Sequence, residues 1–201
     1  MNSKSKTHNA ERELWGLSLI LAPALFATST FFWVRTSGRV EYGAIGGTLI
    51  TIATVFWIPA FIGLFDLLKE TMPRYATWGL LIAIYGCIGG AAFGLEGLFA
   101  EAFRIPHDAR REAWAQFPTT FDLTFFWPGP LFPLSLLILG AMLIRTKSIP
   151  VWAGLLICLA AIAFPVGRIP RIDLAAHAAD VLMLIPLAYT GWGLLKHARE
   201  S

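Results

Sequence analysis

Six stretches of the chain carry no Asp, Glu, Lys or Arg: Leu14 to Val34, Tyr42 to Phe65, Tyr75 to Leu95, Leu123 to Ile144, Ser148 to Gly167 and Val181 to Leu195. A hydrocarbon core of about 30 Å is crossed by roughly 20 helical residues, a length the first five runs supply. The sixth reaches it only when extended back toward Leu174, which places His177 and Asp180 inside the span. The runs are rich in Gly, Ala and Leu and lack the period-2 alternation of a membrane barrel. Helices are then the spanning structure that satisfies every backbone group internally. The pattern predicts an all-α, polytopic membrane helical bundle. It forms a single transmembrane domain over residues 1–201, with helices at 14–34, 42–67, 75–101, 121–144, 148–167 and 173–196.

The longest connection runs from about Ala102 to Thr120, and within it 106–117 suits a short interfacial helix with an apolar stripe of Ala109, Ala113 and Phe117. Prolines 128, 130 and 133 crowd the start of the fourth run and predict a kinked or partly unwound half-helix there. The first run has the Ala22-Pro23-Ala24 look of a signal-peptide cleavage site, yet continues unbroken to Val34, so it is read as a retained helix. A faint echo links Thr71-Met72-Pro73 before Trp78 with Ser148-Ile149-Pro150 before Trp152. A turn breaker followed by a belt tryptophan explains it as well as an internal repeat does.

Composition strengthens the membrane reading: 56% of residues are hydrophobic and 14% charged, against about 25% charged in soluble domains. The net charge of +3 comes from cations scattered singly between apolar runs, so no nucleic-acid partner is expected; the lipid bilayer is. Nine Lys and Arg fall on the loop face shared by the termini (Lys4, Lys6, Arg12, Lys69, Arg74, Arg145, Lys147, Lys196, Arg199) and seven Arg on the other. That bias, with Trp15, Trp78, Trp152 and Trp192 near the inner helix ends, places both termini in the cytoplasm. Cys87 and Cys158 lie within apolar runs and read as small hydrophobes.

Two sets of residues invite a chemical reading. Gly86, Gly90, Gly94 and Gly97 form a stripe at helical spacing that lets another backbone approach closely, and this predicts the third helix at the bundle centre. Glu96 sits beside that stripe, while Asp173, His177 and Asp180 follow i, i+4, i+7 spacing on the last helix. With Asp122 they would form one outer-leaflet layer ringed by Arg104, Arg168 and Arg171. Such a layer reads as a ligand or proton site, because charges within a membrane imply partners or water. Two alternatives stand beside it. Asp173, His177 and Asp180 could ligate a divalent metal in a membrane hydrolase, or the arginines could simply neutralise the acids as packing ion pairs. No other cofactor is predicted, since the chain has no Walker loop, no H-E-x-x-H, no G-x-S-x-G and only one in-span histidine.

The segments Phe126-Trp127-Pro128-Gly129-Pro130-Leu131-Phe132-Pro133-Leu134 and Arg145-Thr146-Lys147-Ser148-Ile149-Pro150-Val151-Trp152-Ala153-Gly154-Leu155-Leu156 resemble bacterial multi-pass membrane families of the domain-of-unknown-function type. The resemblance covers the C-terminal part only, implies a bacterial inner-membrane location, and carries over no catalytic residue. The leading expectation is a small transporter-like or ligand- or ion-sensing module rather than an enzyme. A metal-dependent membrane hydrolase using His177 and Asp180 is the alternative. A third reading is a non-catalytic accessory subunit, whose glycine stripe would pack against a second copy or a partner membrane subunit.

Overall fold

A computed structural model describes residues 3–36 and 39–200, with side chains described at 7–35 and 39–200; those of Lys4 and Lys6 fall outside this set. The chain is all-α apart from one small hairpin. Its helices are α1 Ser3–Thr30, α2 Gly43–Asp66, α3 Pro73–Ala102, α4 His107–Ala115, α5 Pro118–Arg145, α6 Val151–Arg168 and α7 Asp173–Glu200. Among the described residues six of these, all but α4, are long and apolar enough to cross a membrane. The expected short helix over 106–117 is α4, trimmed by the proline before it and by Phe117 and Pro118 after it.

Two boundaries differ from expectation for identifiable reasons. The first helix stops at Thr30 rather than Val34, because Val34–Thr36 (β1) pairs antiparallel with Arg39–Glu41 (β2), Val34 opposite Glu41. The proline-rich start of α5 is not unwound. Pro118–Phe121 continues into a π-helical turn, Asp122–Phe126, in which Trp127 donates to the Asp122 carbonyl at 2.8 Å. That wide turn delivers Pro128 to the first turn of the following α segment, where a missing N–H costs little.

The six long helices close into a ring. In order around it, α1 packs on α2, α2 on α3, α3 on α5, α5 on α6, α6 on α7 and α7 back on α1. The closing contact is built from Gly16 and Gly191, since a Cβ on Gly16 would meet the Gly191 carbonyl at 2.7 Å and one on Gly191 would meet the Gly16 carbonyl at 2.5 Å. The predicted glycine stripe on α3 does bring backbones together, but on two neighbours. A Cβ at Gly86 would strike Phe132 of α5 at 2.6 Å, and one at Gly94 the Gly47 carbonyl of α2 at 2.6 Å; Gly97 abuts Tyr42 and Gly90 faces Thr54.

Because one narrow face serves both contacts, α3 is not central. Only 28% of its most apolar window is buried, against 50% for α2, and Trp78, Leu81, Ile88 and Leu95 stay exposed. The middle of the ring is filled by side chains. Phe132 contacts Phe26, Trp57, Phe61 and Phe164 with ring centroids 5.0 to 6.1 Å apart, so four helices meet in one aromatic cluster. Leu64, Leu136, Leu139 and Leu143, all fully buried, extend the apolar core from it.

Three turns share one device. After α3, α5 and α6 the residues Arg104, Lys147 and Arg171 adopt positive φ of 52°, 57° and 58°. The next N–H in each case reaches back five residues, Ile105 to Ala100, Ser148 to Leu143 and Ile172 to Gly167, at 2.9 to 3.0 Å. These are Schellman caps with a cationic residue where glycine is usual.

Overpacking the ring seams is expected to cost about 1–3 kcal/mol each. Gly94→Leu and Gly191→Leu should lower the unfolding midpoint measured in detergent. Gly193→Ala, whose Cβ would meet nothing within 4 Å, should leave it unchanged or raise it.

Candidate functional site

The end of the ring that carries α4 and the β hairpin holds the buried charges. Arg168, the last residue of α6, is 4% exposed, and it cannot leave the interior because the α6–α7 turn packs backbone against backbone: a Cβ at Gly167 would meet the Ala176 nitrogen at 2.5 Å. Its Nη2 donates to Asp180 Oδ1 and to Thr30 Oγ1, both at 2.8 Å, with the Phe26 carbonyl at 3.3 Å as a further acceptor. The Thr30 hydroxyl in turn donates to Asp180 Oδ2 at 2.6 Å. Asp180 is 1% and Thr30 4% exposed, so the triangle ties α1, α6 and α7 together out of solvent. The guanidinium lies over Phe26, Cζ 3.9 Å from the ring centroid, and so rests on the aromatic cluster below.

A second buried cluster lies across the same end. Arg110 of α4 is 8% exposed; it pairs closely with Glu41 of β2, and its Nη1 is 3.1 Å from Glu96 Oε1 of α3. His107 joins it, Nδ1 3.2 Å from Arg110 Nη2 and 3.4 Å from Glu41 Oε1. Arg171 and Trp33 lie between the two clusters. The Arg171 guanidinium sits 3.8 Å over Tyr42 and 5.3 Å from Trp33, and that of Arg168 is 5.7 Å from Trp33. Arg168, Arg171 and Arg110 thus balance Asp180, Glu96 and Glu41 in a layer without excess formal charge.

The expected single layer of Glu96, Asp122, His177 and Asp180 is therefore divided. Asp180 belongs with Arg168 and Thr30, and Glu96 with Arg110 and Glu41. His177 lies against Phe31 in a tilted ring contact at 4.3 Å, and Asp173 meets Arg35 at 2.5 Å in a pair that is largely exposed. Arg104 is exposed and caps α3. The ion-pair reading describes Arg168 with Asp180. For the metal alternative, among the described residues no three His, Cys, Asp or Glu are placed to hold an ion.

The apolar stripe expected on α4 is Ala109, Ala113 and Phe117. These three are exposed, and Arg110, His107 and Trp114 turn toward the protein. Burying two alanines gains little, whereas Arg110 meets two carboxylates from separate elements. Sequence reasoning did not single out Thr30, Glu41 or Arg110. Glu41 adjoins an apolar run, a position where its pairing was detectable in principle; nothing along the chain separates Arg110 from Arg111. Glu101 has a further role, accepting the Ala44 N–H at the first turn of α2, where a carboxylate is favoured by the exposed N–H groups and the helix dipole.

Outside this layer an open groove of about 450 Å³ runs between α4 and the start of α5, lined by His107, Arg111, Trp114, Pro118, Phe121 and Asp122. Its wall is aromatic: Trp114 stacks on Phe121 at 4.7 Å, Phe121 on Phe125 at 5.1 Å, and Phe125 meets Phe93 of α3 at 5.2 Å. His107 lines the groove and also touches the Arg110 cluster, which joins surface to interior. No family model matches the chain, and neither does any curated protein or solved structure in the comparisons made.

Breaking one partner of a buried ion pair strands the other, at about 3–5 kcal/mol, whereas replacing both by apolar residues can be near neutral. Asp180→Leu and Arg168→Leu are each expected to lower the unfolding midpoint sharply, and the double variant to recover most of the loss. The reading is a thermal-unfolding double-mutant cycle in detergent.

Proposed function

We propose that the chain is a multi-pass protein of the bacterial inner (plasma) membrane, with both termini cytoplasmic, and that it acts as a ligand- or ion-sensing module rather than an enzyme. Six apolar helices and the Lys and Arg bias support insertion and orientation. The bacterial assignment rests on the resemblance of the Pro-rich α5 start and the α5–α6 turn. In this orientation the buried charges and α4 lie in the outer leaflet, where the bilayer thins into headgroups.

One observation carries the sensing reading: Arg110 fastens α4 to β2 and α3 through Glu41 and Glu96, and His107 connects that fastening to an open groove. A groove occupant that engages His107 competes for the contacts holding α4 in place, so binding outside becomes a rearrangement of a cap. Transport is the weaker half of the expectation because the polar layer rests on Phe26, Phe132, Trp57 and Phe61, and below them the ring centre is leucine.

The test uses purified full-length chain in nanodiscs. A panel of small ions and polar solutes is screened for changes in amide hydrogen exchange over residues 105–121. Sensing predicts that a binding solute alters exchange there, and that Glu41→Gln raises basal exchange over the same residues several-fold and blunts the response. A solute taken up into proteoliposomes with unchanged exchange at α4 contradicts it in favour of transport.

A further inference from the structure

Arg111 and Asp122 line the same groove, yet among the described residues neither is ion-paired, with each other or elsewhere. Both side chains are exposed, where an ion pair gains little and need not form. Trp114 and Phe121 stack in the same groove, and Phe121 continues through Phe125 to Phe93 on α3. The groove presents Arg111, which follows His107 by one helical turn on α4 and has Asp108 and Glu112 beside it, and Asp122 on α5. An apolar wall lies between them.

We infer that this groove is a binding site for the headgroup of a zwitterionic phospholipid, the phosphate seated at Arg111 and His107 and the ammonium at Asp122. Three features argue for this occupant. The first is charge complementarity: a purely anionic headgroup gains nothing from Asp122 and is repelled by it, and a cationic solute meets the converse at Arg111. The second is shape, since the concavity of about 450 Å³ is open and suits a headgroup lying at the surface. The third is continuity. Below the groove Leu123, Phe126 and Trp127 on the same helix are exposed apolar side chains, 56%, 64% and 59% accessible, and they give the acyl chains a surface to follow into the bilayer. Arginine suits the phosphate end because its planar fork donates two parallel hydrogen bonds to one oxyanion. The inference names the ligand of the sensing site proposed above and depends on the α4 end lying in a membrane leaflet.

The test is native mass spectrometry of the full chain released from detergent. Phosphatidylethanolamine, phosphatidylglycerol and diacylglycerol of identical acyl chains are supplied at equal concentration. One phosphatidylethanolamine should be retained at least several-fold more than either competitor. Arg111→Gln and Asp122→Asn, both at exposed positions and checked for an unchanged unfolding midpoint, should each abolish that preference. Equal or stronger retention of phosphatidylglycerol, or a preference that survives both substitutions, overturns the inference. Hydrogen exchange of residues 105–121 with and without phosphatidylethanolamine separates this result from the sensing reading. Selective retention with unchanged exchange keeps the lipid site and removes sensing. Loss of selectivity with exchange still responsive to another solute removes the lipid site alone.

Discussion

A guanidinium cannot be left without acceptors in an apolar interior, and Arg168 is 4% exposed at the end of a helix flanked by lipid-length apolar runs. Asp180 and Thr30 supply acceptors to its Nη2 from two other helices, and the Phe26 face supplies a platform, while Nε and Nη1 are buried without a hydrogen-bond partner. Because α7 is the last long helix and α1 the first, the contacts that Arg168 Nη2 makes join those two helices and complete the ring. The closure is seconded lower down by Gly16 and Gly191, which permit α1 and α7 to touch backbone to backbone. Polar pairing at one end and glycine packing along the seam act on different parts of the interface. Neither depends on hydrophobic attraction between helices, which lipid removes.

The placement of charge follows from that closure. With α1, α6 and α7 gathered around Arg168, the remaining opening at this end is bounded by the β hairpin, α3 and the short α4. Arg110 fills it by reaching Glu41 and Glu96. The aromatic cluster of Phe26, Trp57, Phe61, Phe132 and Phe164 then seals the layer from the leucine core. On the proposed sensing reading, a polar layer closed beneath by the aromatic cluster and touched by His107, which also lines the surface groove, is suited to reporting an occupant on one side. It is poorly suited to passing a solute between sides.

The helices were legible in the sequence because charge-free runs of about 20 residues have few other uses, and the sixth helix begins at Asp173 as its polar stripe suggested. Two differences have local causes: β1 took Val34 at the end of the first apolar run, and a π turn over Asp122–Phe126 set Pro128 in the first turn of the α segment after it. Which helices neighbour which was not legible. A glycine stripe announces close approach but not with how many partners, so α3 was expected at the centre and lies on the periphery. The site was half legible. Asp180 and Arg168 stood out as charges adjoining a membrane run, whereas their third member, Thr30, is one of many hydroxyls whose role exists only after α1 meets α7. Glu96 was expected beside Asp180 because both lie near the same end of their helices; depth along the bundle was right, and position around the ring was not available from spacing.

The central claim is a sealed ring: polar contacts at one end over an aromatic plug, with no aqueous path through the middle. Cysteine accessibility tests it most directly. In a background with Cys87→Ala and Cys158→Ala, single cysteines replace Ala53 on α2 and Ala160 on α6, both buried in the core, and Ile172, which is 50% exposed beyond the Arg168 layer. The account predicts that a charged, membrane-impermeant thiol reagent modifies the cysteine at 172 from one side of the membrane and leaves those at 53 and 160 unmodified from either side. Modification at 53 or 160 in the folded protein would contradict it.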